Sequence, residues 1–433
     1  MAFLTSSDKA LWHLALPMIF SNITVPLLGL VDTAVIGHLD SPVYLGGVAV
    51  GATATSFLFM LLLFLRMSTT GLTAQAYGAK NPQALARALV QPLLLALGAG
   101  ALIALLRTPI IDLALHIVGG SEAVLEQARR FLEIRWLSAP ASLANLVLLG
   151  WLLGVQYARA PVILLVVGNI LNIVLDVWLV MGLHMNVQGA ALATVIAEYA
   201  TLLIGLLMVR KILKLRGISG EMLKTAWRGN FRRLLALNRD IMLRSLLLQL
   251  CFGAITVLGA RLGSDIIAVN AVLMTLLTFT AYALDGFAYA VEAHSGQAYG
   301  ARDGSQLLDV WRAALLFSVV YLLAGEHIIA LLTSLTQIQQ LADRYLIWQV
   351  ILPVVGVWCY LLDGMFIGAT RATEMRNSMA VAAAGFALTL LTLPWLGNHG
   401  LWLALTVFLA LRGLSLAAIW RRHWRNGTWF AAT

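Results

Sequence analysis

The residues of this sequence best able to do chemistry are polar side chains set inside apolar runs. A carboxylate at the centre of a bilayer costs roughly 2.5–3.5 kcal/mol and is kept there only where it acts or is paired. Asp32 is the first, near the outer end of its run and six residues after Pro26. The missing N–H and the ring of that proline leave the Asn22 carbonyl unpaired and bend a helix, so Pro26 reads as a hinge. Asn169, Asn172 and Asp176 follow at i, i+3 and i+7 on one helical face, and Thr194, Glu198 and Thr201 share a face in the same way. If these faces look inward, Asp32, Asp176 and Glu198 form a proton-coupling group in apolar surroundings. Desolvation and mutual repulsion disfavour their charged forms, as a group that takes up and releases a proton requires. The alternatives are that Asp32 only reaches headgroup water and that the Asn and Thr side chains bond neighbouring helices.

A second set lies in the later half. Thr278, Tyr282, Asp285, Tyr289 and Glu292 advance in steps of four, three, four and three, and Gln349, Gly356, Tyr360 and Asp363 keep a similar rhythm. Aromatic walls with sparse acids suit cationic or amphipathic ligands through cation–π contact and charge pairing. Tyr282, Asp285, Tyr289, Tyr360 and Asp363 therefore join Asn169, Asn172 and Thr194 as candidate substrate-cavity residues. The alternative is neutralisation by Arg244, which would make Asp285 or Asp363 structural. Enzyme signatures are missing: no Lys follows a Gly, no His precedes a Glu, and no G-x-S-x-G occurs, which removes the P-loop, the HExxH zinc site and the serine elbow. Cys251 and Cys359 stand apart in apolar runs, and no metal or organic cofactor is expected. Transport would then draw on an ion gradient, with protons the expected coupling ion and sodium left open.

The elements that must position these residues are membrane helices. The chain has 433 residues, 61% hydrophobic and 11% charged, with a mean hydropathy of +0.87, against roughly 25% charged in a soluble domain. Apolar runs of roughly 18–25 residues recur, each able to cross a hydrocarbon core about 30 Å thick, without the alternation of barrel strands. Twelve spans are read near 10–36, 45–68, 86–107, 125–154, 160–182, 188–211, 238–261, 266–292, 308–332, 342–368, 376–396 and 400–420. Placing both termini on one side gives that side most of the cations, including nine between Arg210 and Arg239, and the positive-inside rule makes it cytoplasmic. The net charge of +9 is thus topogenic, and no nucleic-acid partner is expected.

The halves repeat. Gln75-Ala76-Tyr77-Gly78-Ala79-Lys80-Asn81 is matched by Gln297-Ala298-Tyr299-Gly300-Ala301-Arg302-Asp303 at an offset of 222. Gly150 and Gly154 echo Gly364 and Gly368 at 214, and Gly189 echoes Gly400 at 211. The expected fold is all-α integral membrane, with twelve transmembrane helices in two pseudo-symmetric six-helix bundles facing across a cavity, a parallel repeat about the membrane normal. Its parts are a first lobe over 1–209, a basic cytoplasmic linker over 210–237 and a second lobe with a basic tail over 238–433.

On the run Val31-Asp32-Thr33-Ala34-Val35-Ile36-Gly37-His38-Leu39, the paired Gln-Ala-Tyr-Gly-Ala loops, the segment from Asn169 to Asp176 and the segment from Gly189 to Thr194, the chain resembles the multidrug and toxic compound extrusion (MATE) family. It looks most like the bacterial DinF branch, over roughly residues 10–420. The resemblance implies a secondary active antiporter of the bacterial inner membrane, not an enzyme, that exports cationic or amphipathic compounds in exchange for protons or sodium by alternating access. It implies that Asp32 is the coupling site, supported by Asn172, Asp176 and Thr194; Glu198, Asp285 and Asp363 take no role from it. Expected partners are small-molecule drugs and the lipid bilayer, with one chain as the working unit. The rival is a flippase for lipid or lipid-linked oligosaccharide, which should carry a basic cavity for phosphate where an acid-rich one is expected here.

Overall fold

The computed structural model describes residues 9–19, 35, 36, 39, 42–157, 159–229, 231–262, 264–316, 319 and 346–430. Pro26 and Asp32 lie outside the described residues, as do the side chains of Thr278, Tyr282 and Gln349. Regular structure among the described residues is helical throughout. In chain order it comprises α1 (9–19), α2 (Pro42–Leu61), α3 (Phe64–Gly78), α4 (Pro82–Leu105), α5 (Arg107–Val118), α6 (Glu122–Arg135), α7 (Ala139–Gly154), α8 (Arg159–Asp176) and α9 (Asn186–Leu215). Then follow α10 (Gly220–Thr225), α11 (Phe231–Arg261), α12 (Ser264–Ala301), α13 (304–316), α14 (Leu346–Gly368), α15 (Ala372–Thr389), α16 (Leu393–Leu396) and α17 (Asn398–Asn426).

Nine helical stretches among the described residues are long and apolar enough to cross a membrane, and they coincide with the second to seventh and tenth to twelfth spans. The eighth span lies within the 38-residue α12; the first and ninth fall largely outside the described residues. The chain is an all-α, multi-pass membrane protein. Two details differ from the sequence reading. The fourth span is broken by a 3-10 turn at Trp136–Ser138, with Pro140 starting α7. The chain after the third span forms α5 instead of a loop, and Arg107 anchors it by donating to the Glu133 carbonyl at 2.9 Å and the Ala104 carbonyl at 2.8 Å.

By packing, the chain divides into two compact units, residues 23–234 and residues 235–433 together with the segment up to residue 22. In the latter, α1 buries Leu11, Leu14, Ala15 and Met18, and its backbone approaches so closely that a Cβ on Gly286 would lie 2.9 Å from the Ile19 nitrogen. Each unit repeats the other's internal geometry. A Cβ on Gly150 of α7 would sit 2.6 Å from the Arg66 carbonyl of α3, and one on Gly364 of α14 would sit 2.7 Å from the Ala288 carbonyl of α12. Gly154 meets Thr73 as Gly368 meets Ser295, each at 2.6 Å. Arg66 and Ala288, like Thr73 and Ser295, are separated by the same 222 positions as the Gln-Ala-Tyr-Gly-Ala motifs. Small residues one turn apart permit this helix contact in both units.

Helix ends repeat as well. Lys80 (φ 53°) and Arg302 (φ 54°) close α3 and α12 in the left-handed conformation, and Gln156 (φ 63°) and Thr370 (φ 56°) follow α7 and α14. The hydrogen bonds match: the Asn81 N–H donates to the Ala76 carbonyl at 3.1 Å and the Asp303 N–H to the Ala298 carbonyl at 3.0 Å, the six-to-one closure of a Schellman turn.

Each motif tyrosine is covered by the chain that follows its unit's last span. The Arg216 guanidinium lies over the Tyr77 ring at 4.6 Å. In the other unit the tail folds back, and Trp429, 1% exposed, stands edge-on to Phe366 at 5.1 Å and to Tyr299 at 6.4 Å. Arg371 ties it down, donating to the Thr428 carbonyl at 3.0 Å and the Trp429 carbonyl at 2.8 Å.

Candidate functional site

Within the first unit, α2, α6, α7, α8 and α9 line an open-sided cavity of about 310 Å³. Leu146, Leu149, Leu164 and Leu165 line it together with the polar residues Arg135, Ser142, Asn145, Asn169, Asn172, Thr194, Glu198 and Thr201. Helical spacing delivers them. On α8 the i, i+3 step puts Asn169 and Asn172 on the same wall, and on α9 the i, i+4, i+7 steps do the same for Thr194, Glu198 and Thr201. Gly168 brings α8 close to α9, since a Cβ there would lie 2.7 Å from the Thr201 hydroxyl.

Glu198 is held in place. The side-chain amide of Asn145 donates to its carboxylate at 3.0 Å and to its main-chain carbonyl at 3.1 Å. The Thr194 hydroxyl donates to the Ala190 carbonyl at 3.2 Å and reaches Asn172 Oδ1 at 3.5 Å. Arg135 stacks over Phe59, 5.5 Å from the ring centre, and hydrogen-bonds Ser138. The wall thus offers one carboxylate, one guanidinium and several neutral amides and hydroxyls. Asp176 is fully buried one turn beyond Asn172, outside the cavity lining, where α8 passes into a π-helical turn at Val177–Gly182. Such turns often occur at functional positions.

The second unit arranges its acids differently. Asp363 is buried and hydrogen-bonded by two guanidinium groups, Arg244 at 2.6 Å and Arg412. This is the internal neutralisation that the sequence left as the alternative, with a second arginine added. Asp285, Tyr289 and Tyr360 are half-buried on α12 and α14, and Asp285 lies in the electrostatic neighbourhood of Tyr360. Trp136 is buried and donates to Thr55 at 3.0 Å; Trp358 is half-exposed, its ring centre 6.5 Å from that of Trp311.

Sequence reasoning missed Arg135, Asn145 and Arg412. The signal was present for the arginines, because a cation inside a span is as costly as an acid. Asn145 has no such signal, since a lone amide in an apolar helix is commonly a helix-to-helix bond.

The MatE family model matches residues 17–178 and 241–396, one stretch in each half. The chain belongs to the MatE family. The DNA damage-inducible protein F of Escherichia coli K12 is 98% identical over 441 residues, 100% of this chain and 96% of that one. A probable multidrug resistance protein NorM of Acinetobacter baylyi is 23% identical across 95% of this chain and 94% of its own. Among solved structures, an outward-facing multidrug resistance MATE family transporter of the MOP superfamily superposes with a TM-score of 0.81 at 22% identity, over 99% of this chain and 98% of that one. That likeness is one of fold, and MatE transporters of this fold carry twelve helices in two bundles.

Proposed function

We propose that this MatE protein exports amphipathic organic compounds, cationic ones among them, across the bacterial inner membrane in exchange for protons. In this reading it works as a single chain by alternating access, with both termini in the cytoplasm and without a cofactor. The observation that carries the reading is the first-unit cavity, in which Glu198 is held by Asn145 among lining leucines. Leucines hold a flexible amphiphile, and a few polar groups orient it. A carboxylate among them can exchange a bound cation for a proton. The name of the Acinetobacter relative supports drugs as cargo.

In the proposed cycle, ionised Glu198 holds the positive end of the cargo in the cavity, with Asp32 and Asp176 as the other proton-coupling acids of the first unit. Proton entry from outside neutralises them and lowers affinity, and the protonated carrier returns. A proton moving down about 100 mV gains roughly 2.3 kcal/mol, worth a roughly fortyfold cargo gradient per charge. Asp363 favours protons over sodium in this reading, because an aspartate engaged by two guanidinium groups is a poor site for a further cation. Arg135 gives the flippase reading its foothold, since a guanidinium suits phosphate, yet Glu198 shares that wall.

The test is efflux of several dyes by purified protein in liposomes, driven by a pH step in sodium-free buffer. Failure there with rescue by sodium would transfer coupling to sodium, and indifference to both ions would overturn antiport.

A further inference from the structure

The linker between the halves presents a surface that the transport reading leaves unused. Ile218, Met222, Leu223 and Ala226 pack with Leu85, Ala86 and Leu89 of α4 and Ile212 of α9. Ser219 caps α10 by accepting from the Met222 N–H at 3.3 Å, and Gln91 of α4 donates to the Ala226 carbonyl at 3.4 Å. The segment is therefore an ordered strap docked on the end of the first unit.

Docking by its apolar side fixes what faces out. Lys211, Lys214, Lys224 and Arg228 are exposed, as are Leu215 at 71% and Trp227 at 51%. The Arg228 guanidinium sits 5.3 Å from the Trp227 ring centre. Glu221 is the one acid among residues 210–239, against nine cations. The surface spans the last turn of α9, a helix long and apolar enough to cross a membrane, and the chain that follows it, which puts these groups beside the membrane surface. Orienting the chain requires cations in the linker. It does not require the linker to fold with its apolar side inward and to expose a tryptophan and a leucine among those cations.

That combination matches one class of molecule. A headgroup phosphate pairs with ammonium and guanidinium groups, an indole ring settles at headgroup depth, and acyl chains run beside an exposed leucine. We propose that the strap over Lys211–Arg228 is a binding site for anionic phospholipid at the membrane surface. The orientation proposed above enters only in naming that leaflet cytoplasmic.

The experiment titrates purified full-length protein in detergent with phosphatidylglycerol or phosphatidylcholine of matched chains and counts bound lipid by native mass spectrometry. We expect selective retention of phosphatidylglycerol, reduced at least tenfold in the K211Q/K214Q/K224Q/R228Q variant, since each cation near a membrane surface is worth about a fivefold affinity. We also expect brominated phosphatidylglycerol to quench a fluorescence component that Trp227→Phe removes. Equal retention of the two lipids, unchanged retention in the quadruple variant, or displacement of phosphatidylglycerol by millimolar inorganic phosphate would overturn the proposal. Lipid retention in detergent is read without a sided membrane or a gradient, so failure of the transport reading leaves this result distinguishable.

Discussion

Asn145 and Glu198 are 53 positions apart and meet across α7 and α9, where the amide holds both the carboxylate and the main chain of its partner. The contact to Oε2 aims the Glu198 side chain along the cavity wall, and the one to the main chain ties α7 to α9 at the same level. Glu198→Gln keeps the Asn145 contact to the main chain and should retain the thermal midpoint in detergent while lowering substrate-driven proton release at least tenfold. Unchanged release would shift coupling to Asp32 or Asp176. Asn145→Leu keeps the acid but releases its side chain, and should weaken substrate-driven proton release in the same assay. Asp363 calls for the opposite expectation. Asp363→Leu leaves Arg244 and Arg412 buried together and should destabilise by about 3–5 kcal/mol. A thermal shift assay checks it, with Arg244→Met the milder change because Arg412 still holds the acid. A variant that melts like the parent would restore Asp363 as a free ionisable site.

Helix ends and helix contacts carry the repeat more faithfully than residue identity does. Gly154→Val and Gly368→Val each force a side chain onto a neighbouring helix at 2.6 Å and should lower folded yield alike, measured by size-exclusion recovery. Thr370 is a β-branched residue held at φ 56°, and left-handed backbone costs such a residue about 1–2 kcal/mol, so Thr370→Gly should raise the melting temperature. The glycines were legible in sequence as echoes of the repeat, and the structure shows that they mark helix contacts which a larger residue would block. The left-handed turns at Gln156 and Thr370 were not, because neither residue advertises a positive φ. The break at Trp136 and the helix α5 were hidden for a related reason: an apolar run shows that the chain is in the membrane but not where its helix pauses. Nothing local in the sequence around Trp429 marks the ring of Phe366, 63 residues earlier, that receives it.

Across the whole molecule, span number and fold class were readable because bilayer thickness sets the length of every apolar run. The half of the candidate site on α8 and α9 was readable because helical periodicity aligns its residues. What α6 and α7 contribute depended on tertiary packing. The proposed orientation is open to a direct check: reporters fused after Thr433 and inserted at Gly217 should be active only as cytoplasmic reporters, and one at Gly119 only as a periplasmic reporter. The same side for all three would refute the topology. The matched turns also bear on ancestry. Lys80 and Arg302, and Gln156 and Thr370, keep left-handed backbone at equivalent places while their side chains differ. A gene doubled end to end inherits two copies of one skeleton, and these pairs show that the skeleton outlasted the lettering. Freed from doing the same task twice, one copy came to line a cavity around a lone glutamate while the other clasped its aspartate between two arginines.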